Sequence, residues 1–117
     1  MVLLALLSLP VFGAGAGDSP LYLIIEIEIL DRDVYARYVQ QAPEIVRKYG
    51  GKYLIRGGRV TPLAGDWNPE RIVVIEFAGK ADLQRWLNSP EYGEIAPLRK
   101  QSTVSRAIIV EKGSLPD

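Results

Sequence analysis

The side chains in this chain that are best suited to binding or catalysis are charged. They lie in segments whose residue pattern predicts β-strands. Glu26 and Glu76 supply carboxylates, and Arg56 and Arg106 supply guanidinium groups. A carboxylate and a guanidinium in a half-buried site usually pair through charge-assisted hydrogen bonds. We expect these residues on the sheet face that the helices leave uncovered. They predict either structural ion pairs at an interface or a site for a small anionic ligand.

Arg56 is the main candidate for holding an anion. It precedes Gly57-Gly58, where the backbone has room to bend, and its planar fork matches a carboxylate. Glu76 is predicted to orient that fork, and Tyr92 to add a hydroxyl group. This pair suits binding better than proton abstraction, because a carboxylate base needs a raised pKa and an adjacent arginine lowers it.

Two aromatic residues complete the list of candidate ligand contacts. Trp86 and Tyr92 stand at helical spacing, which favours core packing over a ligand wall. Tyr38 has the same two interpretations. Trp67 lies in a predicted loop next to Asp66, where it is either a lid residue or a dimer contact.

The composition excludes several kinds of chemistry. The chain has no histidine and no cysteine, so it lacks the usual general base, thiol nucleophiles, disulfides and the commonest metal ligands. We therefore predict no metal site and no cofactor. The 14 basic and 14 acidic residues give zero net charge, without the basic excess of a nucleic-acid binder.

The spacing of apolar residues predicts two strand–helix–strand halves. In the first strand, Ile25, Ile27 and Ile29 alternate with Glu26 and Glu28, so one face is apolar and the other acidic. The predicted strands cover residues 22–29, 52–56, 72–77 and 105–111. In the second strand, alternation places Tyr53 and Ile55 on one face of the sheet. Leu54 and Arg56 are expected on the other face.

Local signals mark the ends of the helices. Asp31 is a predicted N-cap, and Gly50-Gly51 is a predicted C-terminal stop. Pro43 is predicted to kink the first helix near Val39 or to restart it. Ser89-Pro90 indicates a restart within the second helical region. The residues expected on the inner face of the first helix are Val34, Tyr38, Ala42, Ile45 and Tyr49.

These elements predict one α+β domain over residues 20–112, followed by a tail at 113–117. Its order is the ferredoxin-like strand–helix–strand–strand–helix–strand, with a four-stranded antiparallel sheet. Two helices cannot cover both faces of a sheet that is apolar on each, so a homodimer is predicted.

The first nineteen residues form a separate segment. Val2–Phe12 is apolar but too short for a membrane-spanning helix, which needs about 20 residues. Ala14-Gly15-Ala16 fits a signal-peptidase site, although a charged n-region is missing. Export is favoured over the alternatives of a mis-assigned start or a disordered tail. Deleting residues 1–19 is predicted to leave folding unaffected.

Three segments carry a resemblance to a known family, namely Lys48–Gly58, Arg71–Phe77 and Trp86–Tyr92. Together they resemble the family called domain of unknown function 1330, in the dimeric α/β-barrel superfamily, over about 21–112. The resemblance implies two sheets packed face to face in a dimer, and no established activity. Relatives in the superfamily include cofactor-free monooxygenases, lactone isomerases and haem enzymes. The lack of histidine argues against the haem branch.

Two functions remain open at this point. The domain either binds or transforms a small organic acid or phenol, in a pocket where sheet and helices meet, or it is a non-catalytic structural or sensing dimer. An enclosed cavity with converging polar groups favours the first function. A sheet face filled by partner side chains favours the second.

Overall fold

The computed structural model describes residues 19–114. The elements are β1 (Leu21–Ile29), α1 (Arg32–Lys48), β2 (Lys52–Arg56), β3 (Arg71–Phe77), α2 (Lys80–Leu87), α3 (Pro90–Ser102) and β4 (Thr103–Glu111). The strands pair antiparallel in the order β2-β3-β1-β4. This confirms the predicted ferredoxin-like α+β fold. The predicted export segment lies outside the described residues, apart from Ser19.

One face of the sheet packs on the helices and forms the core. Leu21, Leu23 and Ile27 of β1 are buried on this face, as the alternation predicts. The fully buried residues of α1 include Tyr35, Ala42 and Val46; of the predicted set, Ala42 is among them, and Tyr38, Ile45 and Tyr49 are partly buried against the core. The other buried apolar residues are Val73, Ile75, Phe77, Leu83, Trp86, Tyr92 and Ile95.

The opposite face, which we call the open face, carries a mixture of apolar and charged side chains. Directly paired residues of an antiparallel sheet share a face. The pairs Glu26–Arg106 and Tyr22–Glu76 therefore lie on the open face, where Glu26, Glu76 and Arg106 were predicted. Its exposed apolar residues are Ile55, Val104, Ile108 and Val110.

A β-bulge in β2 corrects the prediction for Arg56. Tyr53 pairs with Ile75 and Arg56 with Val73, with a register shift between Tyr53 and Ile55. The extra residue reverses the alternation, so Arg56 lies with Tyr53 on the helix side. The predicted pairing of Arg56 with Glu76 on one face is therefore wrong, because the sheet separates these two side chains.

The helix ends follow the predicted signals. The Asp31 side chain accepts a hydrogen bond from the Val34 amide at 3.1 Å, and Ser89 caps α3 in the same way. Gly50 follows α1 with φ of 87°, a conformation that glycine adopts without strain. The first helix continues through Pro43, so the predicted restart is not present.

A polar contact joins the end of α1 to the start of α3. The Tyr49 hydroxyl donates to the Glu91 carboxylate at 2.7 Å, and Lys48 forms an ion pair with the same carboxylate. The hydrogen bond from Lys48, followed by that from Tyr49, lowers the pKa of Glu91 to about 2. A lowered pKa means that the charged form stabilises the folded state.

Glu91→Gln should therefore reduce stability in a pH-dependent way. The contribution of Glu91 is fully present above its unfolded pKa, near the ordinary value of 4.5, and is lost as pH falls toward about 2. We expect the wild type to melt a few degrees above the variant at about pH 6, and this gap to shrink between about pH 5 and 3. Thermal melts across this range measure it, with the exposed Glu94→Gln as the control for loss of one charge. A gap that stays constant with pH would contradict the ion pair.

Candidate functional site

A small cavity lies between the sheet and helix α1. Its volume is about 30 Å³, which is room for one or two water molecules. A larger ligand can enter only if side chains at the mouth move. The lining residues are Ile25, Ile27, Tyr35, Tyr38, Val39, Ala42, Pro43, Tyr53, Arg56, Arg71, Val73, Ile75, Trp86 and Arg99.

Arginines supply all the formal charge in this lining. Arg56, Arg71 and Arg99 contribute guanidinium groups from β2, β3 and α3, and no carboxylate from residues 19–114 lines the cavity. A planar guanidinium presents several donors suited to carboxylates or phenolates. The cavity is therefore chemically suited to an anion.

Aromatic rings, rather than acids, hold the arginines in place. The Arg56 guanidinium lies 5.2 Å from the ring centroid of Tyr53, and that of Arg71 lies 5.7 Å from the ring of Tyr35. Arg71 Nε also donates to the Tyr35 hydroxyl at 3.2 Å. These contacts orient the cations without neutralising them.

Gly57 makes space for one of these arginines. Its φ is 78°, and a Cβ at this position would overlap the Arg71 guanidinium. The sequence predicted that the bend at Gly57-Gly58 leaves room for Arg56. The structure shows that the space at Gly57 is occupied by Arg71, which approaches from the neighbouring strand.

A chain of phenol groups runs from the cavity to α3. The hydroxyls of Tyr38 and Tyr92 lie 3.1 Å apart, and Arg99 Nε donates to Tyr92 at 3.2 Å. Burial raises the pKa of Tyr38, and raises that of Tyr53 to about 12. Both phenols therefore stay protonated at neutral pH, so they can donate hydrogen bonds to a ligand but are poor bases.

The acidic candidates lie on the open face, away from this cavity. Glu26 accepts from Arg106 at 2.6 Å and from Trp67 Nε1 at 3.5 Å. The hydrogen bond from Arg106 lowers the pKa of Glu26, although desolvation opposes the shift. This arrangement matches the structural ion pair that was one of the two interpretations. Glu76 lies across from Lys52 and does not meet Arg56.

The two aromatic candidates sit in the core beside the cavity. Trp86 packs on Phe77 and Tyr92, with ring centroids 5.6 and 4.4 Å away. Trp86 also lines the cavity, and Tyr92 reaches it through Tyr38. Trp86 therefore packs in the core and also forms part of the cavity wall, so the two interpretations are compatible for this residue.

Sequence reasoning missed Arg71 and Arg99. One available signal was the spacing of Tyr92, Ala96 and Arg99, four and three residues apart, which places Arg99 on the same helix face as Tyr92. Arg71 directly precedes the predicted third strand, residues 72–77, and alternation alone assigns it no site. Its position depends on the space at Gly57, which directly follows the adjacent strand, and no local pattern indicates this contact.

Within residues 19–114, no group of three or more acidic, cysteine or histidine side chains could hold a metal ion. The same stretch contains no helix with the length and apolar character needed to cross a membrane.

Comparison with solved structures supports the fold. A protein of unknown function from Rhodopseudomonas palustris has a TM-score of 0.72 at 18% identity, covering 84% of this chain and 85% of that one. A hypothetical protein from Arabidopsis thaliana has a TM-score of 0.65 at 12% identity, covering 86% and 95%. At these identities the likeness concerns the fold alone.

A third similar structure is a mutant of SnoaB, a cofactor-independent oxygenase from Streptomyces nogalater. Its TM-score is 0.58 at 11% identity, with 85% of this chain and 99% of that chain covered. No curated protein matches the chain. A family model, described as "Domain of unknown function (DUF1330)", matches residues 20–113. The chain therefore belongs to the DUF1330 family, in agreement with the resemblance carried by the segments Lys48–Gly58, Arg71–Phe77 and Trp86–Tyr92.

Proposed function

We propose that this protein binds a small organic acid or phenol, as the anion, in the cavity between α1 and the sheet. The observation that carries this proposal is the lining itself, in which the described residues include three arginines and protonated phenols but no carboxylate. Arg56 is exposed and can meet a ligand from solvent, whereas Trp86 is buried. The ligand must displace side chains near the mouth, because the cavity holds one or two waters as it stands.

The same lining defines what chemistry the site can support. It offers cations and hydrogen-bond donors that stabilise a negative charge on a substrate oxygen. It offers no carboxylate or imidazole to remove a proton. An enzymatic role would therefore act on a substrate that is itself acidic, as a phenol or enol is. The similarity to a structure named as a cofactor-independent oxygenase supports an enzymatic role of this kind.

We further propose that two copies meet through the open face. Ile108 is 60% exposed and Val110 is 41% exposed, next to the Glu26–Arg106 ion pair. A patch of this kind is usually covered in a soluble protein. This assembly also suits the alternative function, a non-catalytic dimer, and it leaves the cavity on the other side of the sheet free.

Arg56→Lys tests the ligand proposal. Lysine keeps the charge but loses the planar fork, so we expect binding of a responsive acid to weaken about tenfold, with the fold unchanged. A thermal-shift screen of small organic acids measures this, since a ligand raises the melting temperature according to its affinity.

Arg106→Lys is the matched control, because it makes the same change on the open face. Wild type and this control should respond equally to each acid. Equal stabilisation of Arg56→Lys and wild type, or no response of wild type to any acid, would show that Arg56 does not hold an anionic ligand.

A further inference from the structure

The indole of Trp86 carries a buried hydrogen-bond donor that lacks a protein acceptor. The residue is 2% exposed, and its Nε1 atom forms no hydrogen bond with any of the described residues. Buried donors in native proteins are nearly always paired, because an unmade hydrogen bond is costly inside a protein. A phenylalanine would give a similar ring without this cost. The nitrogen therefore requires an explanation.

Other buried polar side chains nearby are satisfied. Ser89 Oγ donates to the Trp86 carbonyl at 2.8 Å, and Ser102 Oγ donates to the Leu98 carbonyl at 2.6 Å. Thr103 Oγ1 donates to the Arg99 carbonyl at 2.7 Å. Within the part of the chain that the structure describes, Trp86 Nε1 is the exception.

The place of Trp86 indicates where an acceptor would come from. Its side chain is one of the walls of the cavity, together with Tyr38 and Arg99. Arg99 offers donors only, and the hydroxyl oxygen of Tyr38, which is able to accept, forms no hydrogen bond with the indole N–H. The cavity can supply an acceptor from a bound molecule.

We infer that Trp86 Nε1 donates a hydrogen bond to the bound ligand, and that this ligand is an oxo acid. The inference rests on the proposed function. A neutral, buried donor suits a neutral acceptor such as a ketone oxygen, whereas the charged end of the ligand suits the exposed Arg56 at the mouth. The ligand would lie with its carboxylate outward and its carbonyl oxygen inward.

Matched acids that differ in one carbonyl oxygen test this assignment. Suitable pairs are 4-oxopentanoate with pentanoate, and 4-oxo-4-phenylbutanoate with 4-phenylbutanoate, measured by isothermal titration calorimetry. We expect wild type to bind the oxo member of a pair about tenfold more tightly. Trp86→Phe should bind the two members equally, because it keeps an aromatic ring but loses the donor.

The outcomes separate the two proposals. Equal affinity of wild type for both members, or a preference that survives in Trp86→Phe, would overturn the oxo-acid inference and leave the anion site standing. Failure of wild type to bind any of the four acids would overturn both proposals together.

A spectroscopic readout covers the case in which Trp86→Phe does not fold. The chain has two tryptophans, so Trp67→Phe leaves one indole N–H signal in a ¹⁵N-labelled sample. Adding the oxo acid should move the Trp86 indole proton downfield, as a new hydrogen bond does, and the acid without the carbonyl should not. An indole signal that does not respond to a bound oxo acid would contradict the inference.

Discussion

Ile108→Glu is expected to leave the protein folded and to make it monomeric. Ile108 lies on the open face opposite Ile24, and it is 60% exposed in the single chain. In a face-to-face dimer the new carboxylate would be buried without a partner, which costs on the order of several kcal/mol. Light scattering at micromolar concentration measures the change, from twice the chain mass of 13.0 kDa to that mass.

The neighbouring residue offers a matched control. Ile109 is 51% exposed but pairs with Leu23 on the helix side of the sheet. Ile109→Glu should therefore remain dimeric, since its charge stays in solvent away from the proposed interface. A monomeric wild type, or a dimeric Ile108→Glu, would show that the open face is not where two copies meet.

Gly51→Ala is expected to lower the free energy of unfolding by about 3 kcal/mol. This is the upper end of the usual range for substitutions that overpack a core. A Cβ at residue 51 would lie 2.5 Å from Val46 Cγ1 and 2.9 Å from Phe77 Cζ. Both neighbours are 0% exposed, so neither has space to retreat. For a domain of this size, the melting temperature should fall by roughly 10 to 20 °C.

Gly93→Ala is the corresponding control. Gly93 is exposed within α3, and a Cβ there meets nothing within 4 Å. Alanine in a helix is favoured over glycine by about 0.5–1 kcal/mol, so this variant should be slightly more stable than wild type. If the two variants melted at the same temperature, the close approach at Gly51 would not be a feature of the folded protein.

Most of the fold was predictable because its signals are local. Alternation in β1, the bounds of β2 and the capped start of α3 at Ser89-Pro90 each depend on a few adjacent residues. Of the two alternatives predicted at Pro43, a kink or a restart, the restart is wrong because α1 is continuous. Pro43 is buried in α1, where packing outweighs the loss of one helical hydrogen bond.

The candidate site was predictable only in part, because its geometry depends on contacts between distant residues. The pocket was expected where sheet and helices meet, and Arg56 and Trp86 do line a cavity there. The bulge before Ile55 moved Arg56 to that side of the sheet, which simple alternation does not reveal. Arg71 joins it because Gly57, which is distant in the sequence, leaves space for its guanidinium.

The cluster of arginines without acids also has a kinetic consequence. The whole chain carries zero net charge, so any attraction of anions arises from the local field at the cavity mouth. Such a field speeds the diffusional encounter with molecules of opposite charge, and dissolved salt weakens it over about 10 Å. Capture of an anion should therefore slow as ionic strength rises, while a neutral molecule of the same shape gains no such advantage. Under the proposed function, discrimination between anions and neutral molecules would begin in solvent, before any contact with the protein.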